Sequence, residues 1–66
     1  MLIIHWAGRN EPTIIGNVAF YIDTDLELRA IFNPGNVRRA HLTSVPDVSP
    51  DTDVLHVYAA SSDWIN

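Results

Sequence analysis

Three histidines, His5, His41 and His56, and the carboxylates Asp23, Asp25 and Glu27 are the residues of this chain whose types could do chemistry. Zinc sites are usually built from ligands at close spacing, such as paired Cys or His a few residues apart. These histidines lie far apart in the chain, and there is no cysteine. The acids at i, i+2 and i+4 share one face of a strand, as a cation ladder requires. An EF-hand loop beginning at Asp23 needs glycine at its sixth position, where Leu28 stands; one beginning at Asp51 meets His56 there. Neither run is read as a metal site, and no cofactor is expected.

Nucleophilic and phosphate chemistry fare no better. Gly8, Gly16 and Gly35 are the only glycines, so no P-loop, G-x-G-x-x-G or G-x-S-x-G can be assembled. "SPDTDVLH" contains Ser, Asp and His by composition alone. A catalytic role is therefore not expected. The stretch "NPGNVRRAH" gathers two of the four arginines behind a Pro-Gly turn signal. Consecutive strand residues face opposite ways, so Arg38 and Arg39 cannot form one phosphate patch. One is expected to lay its stem over the rim of the core. Arg39 is taken as the one that faces a partner's carboxylate.

Those residues must be positioned by a small domain. The 66 residues form a single domain, 1–66, carrying a formal charge of −4 and 47% hydrophobic residues. Such a chain folds but has a thin core, and without cysteine it cannot add disulfides. Self-association is the remaining way to bury more area. The acidic balance opposes nucleic-acid or anionic-membrane binding and favours a partner with a basic surface. "MLIIHWAG" is too short to span a membrane and lacks the basic region of a signal peptide, so a cytoplasmic protein is expected.

Period-two hydrophobicity dominates. Leu2, Ile4 and Trp6 alternate with Ile3, His5 and Ala7. Between residues 13 and 23 the even set Ile14, Gly16, Val18, Phe20 and Ile22 predicts one long strand with an apolar face. Leu55, Val57 and Ala59 oppose Val54, His56 and Tyr58. "LELRAIF" places Leu26, Leu28, Ala30 and Phe32 on one face, and a hairpin through a five-residue loop at 33–37 pairs Ala30 with Ala40 and Leu28 with Leu42. The fold expected is all-β, a small five-stranded antiparallel meander or an SH3- or OB-like barrel. The alternative is α+β: "TDLE" reads as a capping box with Thr24 as N-cap, Asp25 pairs with Arg29, and a short helix at 25–32 lies on a three- or four-stranded antiparallel sheet.

The functional expectation is a non-enzymatic protein-interaction module, using the aromatic residues Trp64, Tyr21 and Tyr58, the cation Arg39, and the acidic loop residues Asp47, Asp51 and Asp53. Trp64 either closes the core or anchors a partner. Size and charge would suit a phage or mobile-element inhibitor of a host complex, of the anti-CRISPR type, acting in the host cytoplasm. Two other classes are weighed against it: a single-stranded nucleic-acid binder stacking bases on Tyr21 and Tyr58, and a small metal-dependent or hydrolytic enzyme.

Overall fold

The alternation at the N-terminus becomes strand β1, Leu2–Trp6, with Leu2, Ile4 and Trp6 buried and Ile3 and His5 half-buried on the opposite face. The computed structural model describes residues 1–48 and 53–64. Its other strands are β2 (Thr13–Ile15), β3 (Ala19–Ile22), β4 (Glu27–Phe32), β5 (Asn36–Leu42) and β6 (Leu55–Ser62), and the described residues contain no helix. All six lie in one sheet of order β2-β1-β6-β5-β4-β3. Every pairing is antiparallel except that of β1 with β6, which is parallel.

The two ends of that order are consecutive in the chain, because only residues 16–18 separate β2 from β3. The sheet therefore bends round on itself into an open barrel, with nearly equal extents of 29 × 26 × 24 Å. Ile15 from one end of the order and Ile22 from the other pack on the same core of Leu2, Ile4, Trp6, Leu28, Leu42, Leu55 and Val57.

The all-β class is as expected; the details differ. The predicted five antiparallel strands become six in a mixed sheet, because the 13–23 segment breaks at residues 16–18. Ile15, not Ile14, faces the core in β2, and Ile14 is 62% exposed. The break resets the alternation, so that Val18 and Ile22 turn inward. The hairpin register is also shifted by two residues: Leu28 pairs with Ala40 and Ala30 with Arg38. A shift of two preserves which residues face inward, as the period requires. The loop is correspondingly shorter, with Phe32 opposite Asn36, Gly35 at φ +85° and the Asn36 amide donating to the Asn33 carbonyl at 3.1 Å. This is the positive φ that a Pro-Gly turn supplies.

The short helix at 25–32 is overturned for a reason visible at Asp23. Its Oδ1 accepts the amides of Asp25 and Glu27, both at 3.1 Å, so Asp23 and not Thr24 organises the segment, and it does so as a turn. Asp23 N donates to the Glu27 carbonyl at 3.1 Å and opens the β3–β4 hairpin. Arg29 then lies beside Tyr21 and pairs with Asp23 at 3.5 Å, not with Asp25. The turn forces Leu26 to φ 62°, where glycine is usual. A Leu26→Gly variant relieves roughly 1–2 kcal/mol of left-handed strain. It loses about the same from a half-buried leucine, so its unfolding free energy should stay within about 1 kcal/mol of wild type by urea titration.

The Asp23 carboxylate is held below the usual range, chiefly by the Glu27 amide; desolvation opposes this, and the Asp25 amide and Arg29 add to the lowering. Its pKa is thus lower folded than unfolded. The stability it contributes is present at neutral pH and is lost as pH falls below about 4, through the folded value. In Asp23→Asn the urea midpoint should be lower at pH 7 and should fall less between about pH 5 and 2.5. Parallel acid limbs in the two proteins would refute this role.

Candidate functional site

On the outward face, the parallel pairing of β1 with β6 sets Ile3 beside His56 and His5 beside Tyr58, while β2 adds Ile14 beside Ile3. The His5 ring stacks on Tyr58 with centroids 4.6 Å apart and on His56 at 5.2 Å. His5 Nε2 and His56 Nδ1 are hydrogen-bonded at 2.9 Å, so one of these two nitrogens carries the proton and the other accepts it. The rings are thereby fixed as one flat, stacked surface. Tyr58 remains 54% exposed and Ile14 62%, leaving an aromatic and aliphatic patch open to solvent.

His41 stands apart on β5, in a row with Glu27 of β4 and Ser61 of β6. Its Nδ1 lies 3.3 Å from Glu27 Oε1, and the ring is half in solvent. Two histidines thus meet and the third does not. Among the described residues no three His, Asp or Glu side chains converge as a metal site.

The other sequence-derived site residues are scattered. Tyr21 is exposed on β3, with the Arg29 guanidinium 6.0 Å from its ring centroid. Strands β4 and β5 separate it from Tyr58, so the two tyrosines do not form one stacking platform. Arg39 is exposed and its backbone amide donates to Asp63 Oδ1 at 2.8 Å. Asp47 lines an acidic groove with Ile22, Asp23, Val45 and Val48. Asp53 is exposed beside the start of β1, its carbonyl accepting the Met1 amino group at 2.7 Å. Asp51 lies outside the described residues.

Trp64 folds back on the core, edge-on to Trp6 at 5.8 Å and to Phe32 at 5.4 Å. A bulge in β6 brings it there. His41 pairs with Ser61 but Leu42 with Ala59, so Ala60 is an extra residue and the alternation beyond it is inverted. Sequence reasoning missed Ile14, which it placed inside, and His5 and Ile3, whose proximity to Tyr58 depends on a pairing between the two ends of the chain.

A second concavity, of about 380 Å³, opens beside Trp64. Its walls are Ile15 of β2, Phe32, the turn residues Asn33 and Asn36, and Arg38 of β5. Arg38 is half-buried and faces inward opposite Ala30, whereas Arg39 faces outward. The neighbouring arginines thus diverge, as expected for strand residues.

Fold and surface together define a small all-β barrel with an open aromatic face and no evident catalytic constellation among the described residues. No protein-family model matches the chain, and comparison with curated proteins and with solved structures finds no match. No helix among the described residues is long and apolar enough to cross a membrane.

Proposed function

We propose that this chain is a non-enzymatic protein-interaction module that engages another protein through the Ile14, Ile3, His5, His56 and Tyr58 face. The observation that carries this reading is the open stack: two histidines and a tyrosine, pre-ordered by one hydrogen bond and two ring contacts, beside a largely exposed isoleucine. Rigid aromatic groups lose little conformational freedom on binding and are the residue types around which interface hot spots form. Asp53 lies near one edge of this patch, at the head of β6, and gives the partner's basic residues a place to pair. Blocking a host complex, as a phage-encoded inhibitor does, is one use of such a face; size and charge support it and no motif does. Self-association through the same face is the other.

Affinity capture from the source cells, comparing wild type with Tyr58→Glu and with Tyr21→Glu, tests the reading. A protein retained by wild type and Tyr21→Glu but lost from Tyr58→Glu is expected, with all three unfolding within about 3 °C of one another because the changes are exposed. Sedimentation of the same three proteins separates self-association from binding to another chain. Identical binding by wild type and Tyr58→Glu would remove the proposed face.

A further inference from the structure

We infer that the concavity beside Trp64 is a binding site for a small aromatic carboxylate, distinct from the outward face and independent of it. Three apolar walls, Ile15, Phe32 and Trp64, come from β2, the end of β4 and the segment after β6. Arg38, Thr13, Asn33 and Asn36 supply the polar side. The volume of about 380 Å³ lies in the range of small-molecule sites.

The charge arrangement selects the ligand. The chain has twice as many acids as arginines, eight against four, yet no acidic side chain is among the described residues lining this concavity. Arg29 is paired with Asp23. Arg38 makes no ion pair or hydrogen bond through its side chain with any described residue, although it is half-buried. A guanidinium held against apolar walls is matched by a group that brings both the missing anion and a flat body to lie on the rings. One cation flanked by neutral amides balances a monoanion. A phosphate dianion would be left with uncompensated charge, in a protein whose net charge is already −4. A planar carboxylate accepts two parallel N–H bonds from Arg38 while its ring lies against the Phe32–Trp64 pair, which already meet edge-on.

The test is a titration of ¹⁵N-labelled protein followed by NMR, with indole-3-acetate, its neutral counterpart indole-3-acetamide, and phenyl phosphate as probes. Indole-3-acetate should shift the Asn33 and Asn36 backbone amides and the Trp64 indole N–H saturably, while the His56 and Tyr58 amides stay still. The amide should bind about tenfold more weakly, as should indole-3-acetate to Arg38→Gln, because each loses the charged hydrogen-bond pair. Should Arg38→Gln prove unfolded by its spectrum, Arg38→Lys keeps the stem and charge, and loss of the fork should still weaken binding about threefold. Absence of saturable shifts at about 10 mM, equal binding of acid and amide, or tighter binding of phenyl phosphate would each overturn the assignment.

Discussion

Trp6→Ala is expected to unfold the domain at room temperature, whereas Trp64→Ala leaves it folded and weaker. Trp6 is 4% exposed, its indole N–H donates to Thr13 Oγ1 at 2.7 Å, and it meets Trp64 edge-on. Truncating a buried tryptophan costs about 3–5 kcal/mol. A barrel this small has only about 3–5 kcal/mol to lose. The Thr13 hydroxyl also loses its partner, which loosens the attachment of β2 and hence the closure of the sheet. Trp64 is only partly buried at the rim of the core, so the same truncation removes less, roughly 1.5–2.5 kcal/mol. Urea unfolding followed by far-ultraviolet circular dichroism distinguishes the two. A cooperative transition for Trp6→Ala with a midpoint close to that of Trp64→Ala would contradict this ranking.

Much of this core was legible because alternation is a local property. Leu2, Ile4 and Trp6, then Leu28 and Ala30, then Leu55, Val57 and Ala59 turn inward as their spacing requires, and all are buried. What alternation cannot report is where it is reset. The break at residues 16–18 placed Ile14 on the wrong side, and the bulge at Ala60 sends Trp64 inward although strict counting from Ala59 sends it out. Gly16 and Asn17 do mark the first site as a break, although the even-position apolar run continues through it, whereas Ala60 carries no such signal. The capping-box reading of "TDLE" failed because Asp23, one position earlier, captures the Asp25 and Glu27 amides in a turn that cross-strand pairing with β3 then stabilises. An eight-residue helix has little to set against a complete ladder on both sides of β4. The candidate face was half legible. Tyr58 and His56 stand in one run, but His5 joins them only through a parallel pairing across more than fifty residues, which no local pattern encodes.

The bulge makes the position of Trp64 a matter of residue count, and changing the count should move it. Inserting one alanine between Ser62 and Asp63 returns the tail to the opposite phase: Trp64 is carried to the outer surface and the Asp63 carboxylate is turned toward the core. The expected loss is at least that of Trp64→Ala, roughly 2–3 kcal/mol, with a red shift of tryptophan emission in the folded state. Adding Trp64→Ala to the insertion should then cost almost nothing, because the contact with Trp6 and Phe32 has already gone. Deleting Ala60 is the converse experiment. It removes the extra residue, leaves a regular strand in which Trp64 still points inward, and should keep both its emission and the edge-on contacts. Its cost is limited to the local twist the bulge adds to β6, and the unfolding temperature should fall far less than with the insertion. If insertion and deletion were equally damaging, the tail would be held by its own sequence and not by the phase of the strand that delivers it.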